Sequence, residues 1–483
     1  MIFLAACSGT SDKEVPESGI ESVYTYIEGG SGKASVEEET TMKTENGQSI
    51  VTVTWSSPNY DYMIVDGEKY LPVNSEGNSV FEIPVLAMEE GFAVTADTVA
   101  MSTPHEIEYT LYVTRTQRST EDDSDNAVQN KTDNSELESW ISKNLKNENS
   151  IELEYASKFT VREYDDDIKI VVINGTDYFI VAPENSDIVK DIPENITVIN
   201  NELSSIYMVS SGSMDFFRAT DSLDLVKYCS LKENDWYLDE VKDNLEKGAM
   251  IYAGKYSAPD YELLLSHGCD LVIENNMINH TPAVLEQLKN LGLPVMIDYS
   301  SYESSILGRM EWVKLYGILT GHLSEAEKAF EKQKNQIEDM SLSSDEKLTV
   351  GFFAVTSSGT VTIRKTEDYI TNMIDLAGGE YGFESIAGSG TGTATVQMEA
   401  FYEAAKDCDI LIYNSTIEGE INSKSELEEK VPLIKKCKAY KNGNIYCTKA
   451  SFYQSVMELG QMTLEINNIL NNKDEISYLE KIQ

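Results

Sequence analysis

The sequence predicts a small all-β sandwich followed by an α/β region of two lobes joined by helix, and three observations carry that reading. Short runs of alternating apolar and polar residues, separated by Asn, Gly and Pro turns, fill residues 51–113, the pattern of half-buried antiparallel strands. Apolar periodicity is lost over 116–149, which carries Glu121-Asp122-Asp123-Ser124-Asp125-Asn126. From Ile196 onward strand-like runs alternate with helical ones, the signature of a mostly parallel sheet with covering helices. A chain of 483 residues is in any case too long for one core of ordinary size. The boundaries expected are a tether over 1–19, the sandwich over 20–115, an acidic linker over 116–150, a first lobe over 151–322, an inter-lobe helix over 323–344 and a second lobe over 345–483.

At the start, Leu4-Ala5-Ala6-Cys7 resembles the lipobox of bacterial lipoproteins, which implies a lipid on Cys7 with Ser8 to Ser18 as polar tether. Met1 to Phe3 supplies neither a basic start nor a full apolar core for a secretion signal. The expectation is therefore a start lying upstream, or a trimmed signal. The sandwich is read from Val51-Thr52-Val53-Thr54-Trp55, Ser79-Val80-Phe81-Glu82-Ile83 and Glu108-Tyr109-Thr110-Leu111-Tyr112-Val113. In the linker only an apolar turn around Trp140 suggests a short helix.

Two hairpin-like strands open the first lobe and end near Val181. Strands then follow at Ile206 to Val209, Met250 to Tyr252, Leu271 to Ile273 and Pro294 to Ile297, with helices such as Tyr261 to His267 and Ala283 to Leu291 between them. Ser304 to Leu319 and Ser324 to Met340 read as consecutive amphipathic helices, the second opening on a Ser-Glu-Ala-Glu start suited to an N-cap and acidic first turn. The second lobe resumes with a strand at Thr349 to Val355, a helix around Thr366 to Ala377, a strand at Ile410 to Tyr413 and a closing helix from Tyr453 to Leu470.

Composition narrows function mainly by exclusion. Asp and Glu number 82 against 38 Lys and Arg, a formal net charge of -44, which repels nucleic-acid phosphates and makes nucleic acid a poor partner. No run of about twenty apolar residues exists to span a bilayer as a helix. Cys229, Cys269, Cys408, Cys437 and Cys447 form no C-x-x-C pair. A bridge between Cys437 and Cys447 across the Asn442-Gly443-Asn444 turn and five small buried hydrophobes are both compatible with the pattern. Gly388-Ser389-Gly390-Thr391-Gly392 lacks the Gly-Lys-Ser/Thr end of a phosphate loop and reads as a loop. His105, His267, His280 and His322 fall in no zinc-protease spacing, and no G-x-S-x-G elbow accompanies them. The chain is accordingly expected not to be an enzyme.

What the sequence does concentrate is Ser, Tyr and Asn where α/β strands end, the place at which open sheets hold ligands. This selects Ser210, Ser211 and Met214 after one strand, Tyr256 after the next, Asn276, Met277 and His280 after a third, Ser301 and Tyr302 after a fourth, and Tyr413 and Asn414 in the second lobe. These residues are expected to line one cleft, and the flat, polar-tipped Tyr rings suit a large planar or organic ligand. Arg309 and Arg364 are candidates to pair an anionic ligand.

Several segments carry a family resemblance. They include Tyr252-Ala253-Gly254-Lys255-Tyr256-Ser257-Ala258-Pro259-Asp260-Tyr261-Glu262, Leu291-Gly292-Leu293-Pro294-Val295 and Leu307-Gly308-Arg309-Met310-Glu311-Trp312 in the first lobe, and Met398-Glu399-Ala400-Phe401 and Asp407-Cys408-Asp409-Ile410-Leu411-Ile412 in the second. They are similar to the solute-binding proteins of ATP-driven (ABC) importers for siderophore-iron, haem and cobalamin, over about Ile196 to Leu470. The resemblance implies a bilobed α/β periplasmic-binding-protein fold with a long inter-lobe helix, little hinge motion, and a ligand held between lobes. That ligand would be an iron complex, haem or a corrinoid, with no intrinsic cofactor. As partners it implies an ABC permease and its ATPase, met by one glutamate on each lobe, Glu262 and Glu399 by motif position. Together with Cys7 it implies a lipid-anchored protein on the extracytoplasmic face of the cell membrane, of Gram-positive type.

The region from Trp55 to Val113 resembles, through Ser56-Ser57-Pro58-Asn59-Tyr60, Phe81-Glu82-Ile83-Pro84-Val85 and Tyr109-Thr110-Leu111-Tyr112, the haem-binding near-iron-transporter sandwich. That family spaces its tyrosine pair Y-x-x-x-Y, whereas Tyr109 and Tyr112 are three apart. Met63, Met101 and His105 are the residues expected to ligate haem iron instead, since thioether and imidazole both do so. The alternative is a surface interaction protein whose sandwich meets haem or a protein partner.

Overall fold

In the computed structural model the residues described are 18–29, 35–37, 39–45, 48–74, 77–88, 91–98, 105–115, 136–183, 186, 190–193, 196–340, 347–357, 359–473 and 475–483. The chain divides into two compact units after Gln129.

The first unit is all β, with strands β1 (Ser18–Gly29), β2 (Glu39–Glu45), β3 (Gln48–Thr54), β4 (Tyr60–Val65), β5 (Glu68–Tyr70), β6 (Val80–Pro84), β7 (Phe92–Thr98) and β8 (His105–Thr114). They form one antiparallel sheet in the order β5-β4-β7-β8-β1-β2-β3-β6, so the small β domain is present with its hydrogen bonding continuous. Alternation drives it: Val51, Val53, Phe81, Ile83, Val94, Ala96, Tyr109, Leu111 and Val113 all turn inward and are buried. On this face Trp55, just after β3, stacks on Tyr60 of β4 with ring centroids 3.9 Å apart.

The second unit begins earlier than the sequence suggests. A helix containing residues 136–144 buries Leu137, Trp140 and Ile141 against Tyr164, Ile168, Ile170 and Ile180 of a five-stranded sheet. That sheet runs Thr197–Asn200, Asp177–Ala182, Ile168–Ile173, Phe159–Tyr164, Asn149–Ile151, antiparallel except for its Thr197–Asn200 edge. Burial of Trp140 thus takes 136–150 out of the expected linker and into the α/β unit.

The first lobe proper is a five-stranded parallel sheet ordered Ile251–Tyr252, Val226–Cys229, Ile206–Met208, Leu271–Asn275, Val295–Asp298. Its last strand leads into the helices Ile306–Glu311 and Val313–Thr320. Gly321 ends the latter at φ 74°, a left-handed conformation that suits glycine. The long inter-lobe helix Leu323–Glu338 follows. It packs so closely on its predecessor that a Cβ on Gly317 would lie 2.6 Å from that of Ala326. The second lobe carries a mixed sheet in the order Thr393–Val396, Val361–Arg364, Thr349–Val355, Ile410–Tyr413, Ile445–Thr448, Leu479–Lys481, with Glu380–Tyr381 added beside Thr349–Val355. One hydrophobic core runs through both lobes, from Phe216 and Phe217 through Tyr316 and Phe330 to Phe352 and Phe452. Cys229, Cys269, Cys408, Cys437 and Cys447 are all free and buried, so the 437–447 bridge is not formed.

Candidate functional site

Three parallel strands of the first lobe end on one cavity of about 170 Å³. Ser210, Ser211, Gly212 and Ser213 follow Ile206–Met208, Asn275 ends its strand, and Ser300 and Ser301 follow Val295–Asp298. Arg309, from the helix Ile306–Glu311, and Val456, from the segment between the strands Ile445–Thr448 and Leu479–Lys481, complete the lining. This is the placement that the strand-end argument requires.

A buried hydrogen-bond chain sets the floor. The Asp298 carboxylate accepts from the Ser300 N–H at 3.0 Å, from the Ser300 hydroxyl and from the Tyr316 hydroxyl. Ser300 Oγ lies 3.4 Å from Ser213 Oγ, which lies 2.8 Å from Ser210 Oγ. Burial pushes the Asp298 carboxyl above its ordinary range, while the hydroxyl hydrogen bonds pull it back. The serines are therefore oriented from below, which presents a hydroxyl surface to whatever enters.

Arg309 gives the cavity its positive charge. Its Nε donates to the Glu303 carbonyl at 3.2 Å and a terminal nitrogen donates to the Ser301 carbonyl. Burial lowers its pKa, and the neighbouring Arg364 acts in the same direction. Arg364 lies 3.8 Å from an Asp368 carboxylate oxygen. The structure thus brings together Ser210, Ser211, Ser301 and Arg309 at the cavity, with Arg364 close by.

Other expected residues fall elsewhere. Met214 is fully buried in the shared core, because it opens the helix Met214–Ala219 on its inner face. Tyr413 is also fully buried, edge-on to Phe353 in the second-lobe core with centroids 5.6 Å apart. Asn414 is buried too, and its Oδ1 caps the next helix by accepting from Thr416 N–H at 3.2 Å. None of these three faces the cavity. Tyr256 sits in the small hairpin Gly254–Lys255 and Ala258–Pro259 and packs on the outer core of the first lobe around Tyr207 and Leu264. The Asn276 side chain donates to the Tyr302 hydroxyl, and Tyr302 stays exposed beside Tyr299. Met277 is half-buried, its N–H donating to Asn275. His280 closes the 3-10 turn Asn276–His280, and its side chain lies outside the described residues.

In the first unit Met63 is corrected as an iron ligand. It is fully buried, and its sulfur accepts the Trp55 indole N–H at 3.3 Å, so it belongs to the core. Met101 and the His105 side chain lie outside the described residues, as does Cys7. Tyr109 is buried with its hydroxyl 3.4 Å from that of Tyr60, and burial pushes its pKa well up. Among the described residues no cluster of three His, Cys, Asp or Glu side chains is arranged to hold a metal ion.

Sequence reasoning selected the segments around Ser213 and Ser300 without singling out these two hydroxyls, and it missed Asn275 and Val456. Asn275 was findable, since it ends its own strand. Glu262 and Glu399 are exposed in the first turns of Tyr261–Ser266 and Met398–Ala405. A larger cavity of about 510 Å³ is lined by Ser304 and Ser305 of the first lobe and by Lys347, Glu367, Asp375, Glu380 and Glu384, among others, of the second. Its carboxylates make it a poor place for an anion.

Residues 222–452 match the family model described as "Periplasmic binding protein". The chain is 24% identical over 291 residues to an uncharacterized lipoprotein of Methanocaldococcus jannaschii, covering 58% of this chain and 68% of that one. A second uncharacterized lipoprotein of the same organism is 26% identical over 221 residues, covering 44% of this chain and only 55% of its own length. Among solved structures the periplasmic heme-binding protein HutB of Vibrio cholerae aligns with 55% of this chain and 99% of its own at 15% identity and a TM-score of 0.45. The two lipoprotein relatives are archaeal and lend no support to a Gram-positive setting.

Proposed function

We propose, from the periplasmic binding protein domain over residues 222–452, that this chain is the substrate-binding lipoprotein of an ABC importer and captures an iron complex, haem or corrinoid between its lobes. The observation that carries the reading is the cavity where three parallel strands end, with serine hydroxyls and the Arg309 guanidinium converging between the lobes. Hydroxyl and guanidinium donors bind the oxygen periphery of a chelate, so the metal enters already complexed. Lipid attachment through Cys7 agrees with the names of the two lipoprotein relatives and places the protein on the extracytoplasmic face of the membrane. Glu262 and Glu399, each exposed in a first helical turn, are the docking points for the permease, whose ATPase drives release.

The test is a fluorescence titration of the whole chain with a ferric tris-catecholate, a ferric trihydroxamate, hemin and cobalamin. One of these binds saturably, and Arg309→Ala weakens it at least about tenfold, the loss of a charge-assisted hydrogen bond. Failure of all four to bind removes the reading. Glu262→Ala combined with Glu399→Ala is expected to abolish transport into proteoliposomes holding the cognate permease, while ligand affinity stays within about 1 kcal/mol. Loss of affinity in that double variant sinks the docking assignment.

A further inference from the structure

Tyr369 opens the second-lobe helix Tyr369–Leu376 and is 8% exposed. The Arg309 guanidinium carbon, from the first lobe, lies 3.6 Å from its ring centroid, and that of Arg364, from the second lobe, lies 5.7 Å from the same centroid. One turn along the helix, Asn372 Oδ1 accepts the Ile306 N–H at 3.1 Å, where the Arg309-bearing helix begins. A single helical face of the second lobe thus holds both the start of that helix and its cation.

Two guanidiniums close to one ring repel each other, and the ring's negative face together with the Asp368 carboxylate offsets that repulsion. The two hydrogen bonds from Arg309 end on the neutral carbonyl oxygens of Ser301 and Glu303, so its charge is not neutralised by them. Asp368 is the carboxylate beside Arg364, and it is already occupied by the N–H groups of Ile370 and Gly392. Asp368 thus offsets one of the two cations and also attracts Arg309, as Asp298 does, while Arg309 itself borders the serine-lined cavity.

We propose that Tyr369 is a positioning residue whose ring fixes the Arg309 and Arg364 cations as a pair beside the cavity, making it a receptor for a polyanionic metal chelate in preference to a neutral one. This rests on the reading of the cavity as the ligand site. The chelate's anionic oxygens meet the paired cations while the serine hydroxyls take its remaining acceptors. Binding relieves the repulsion between the guanidiniums, so the gain grows with the charge of the ligand.

The experiment compares native chain, Tyr369→Phe and Tyr369→Leu in titrations with a trianionic ferric tris-catecholate and a neutral ferric trihydroxamate, at low and moderate salt. Tyr369→Leu is expected to weaken the tris-catecholate about 5- to 30-fold, the range of a desolvated cation–π contact, and to flatten its salt dependence. The trihydroxamate shifts less than about threefold, which also reports that the variant is folded. Tyr369→Phe keeps the ring face and stays within about twofold for both. The proposal is overturned if Tyr369→Leu binds the tris-catecholate as the native chain does, if it loses both chelates equally, or if Tyr369→Phe is as impaired as Tyr369→Leu. Failure of the native chain to bind either of these chelates, hemin or cobalamin removes the importer-receptor reading itself, and this proposal with it. Native binding of only hemin or cobalamin leaves the receptor reading and overturns the chelate preference.

Discussion

Glu311→Gln isolates what holds the segment 154–156 to the lobe junction. The native side chain is fully buried. Its Oε2 accepts the N–H groups of Tyr155 at 2.7 Å and Ala156 at 2.8 Å, and its Oε1 accepts the Glu154 N–H at 2.9 Å and the Lys314 ammonium at 2.7 Å. Glutamine keeps one acceptor oxygen and turns the other position into a donor. Either orientation sets an amide N–H against two donors, and each buried donor left unpaired costs about 1–3 kcal/mol. Removing one member of the Lys314 pair adds to that loss. A local loss of about 3 kcal/mol corresponds to roughly 150-fold faster hydrogen exchange at the three amides, which mass-spectrometric exchange of the whole chain reads directly. For native Glu311, burial pushes the pKa up, but Lys314 and the three N–H groups outweigh it and the net shift is downward. A folded-state pKa below the unfolded one gives stability that is present above the ordinary glutamate range and lost as pH falls through the folded value. Protection should therefore persist at pH 5 and fail only once the pH has fallen below the ordinary glutamate range. Exchange at 154–156 that changes less than about fivefold in the variant refutes the reasoning.

Three further outcomes follow from single side chains. Glu274 is fully buried, neither of its oxygens has a hydrogen-bond partner, and burial raises its pKa to about 8. The folded state thus holds a proton that the unfolded chain releases above about pH 4.5, so Glu274 costs stability increasingly from there to about pH 8. Glu274→Gln should close that gap by about 1.4 kcal/mol per pH unit in urea unfolding at pH 5, 6.5 and 8, and parallel curves would contradict it. Gly351→Ala would place a Cβ 2.4 Å from Phe383 Cζ and 2.6 Å from Leu411 Cδ2. Overpacking there should cost about 1–3 kcal/mol in the same assay, and a neutral result would show that the second-lobe core yields. Met63→Leu, a near-isosteric core change, should cost under about 1.5 kcal/mol and leave any hemin affinity unchanged, whereas a lost Soret shift would restore Met63 as a ligand.

The α/β alternation was legible because strand and helix periods differ, and the strand-end rule found Ser210, Ser211 and Ser301 for a topological reason. The same rule misplaced Tyr413 and Asn414. Position along a strand says how far a residue lies from the ligand end, whereas its side of the sheet follows from the pleat and the covering helices. Tyr413 turns toward Phe353, and Asn414 gives its side chain to a helix cap, a use that Asn favours at helix starts. Met63 failed for a related reason, since an inward strand position beside Trp55 makes it core. Trp140 looked isolated because its partners, Ile168 to Ile180, come some thirty residues later as a sheet. Nothing in the sequence joins Arg309 to Tyr369, because that contact arises only where two lobes meet.

The junction between the lobes also decides how selectivity can arise. Asp215, buried in the first lobe, accepts the Met457 N–H at 2.7 Å while pairing with Arg218, which reaches Glu458 at 3.1 Å. Gln454 accepts the Tyr237 N–H at 2.7 Å and donates to the Asp235 carbonyl at 2.9 Å. With one hydrophobic core running through both lobes, opening them about a hinge would break these buried bonds and expose apolar surface together, a loss of several kcal/mol. Discrimination by large lobe closure is therefore disfavoured, and a ligand at the proposed site would meet groups already in place. Those groups are the serines held from Asp298 and the arginines beside Tyr369, so under the proposed role of Tyr369 ligand charge is the property that the arrangement would read.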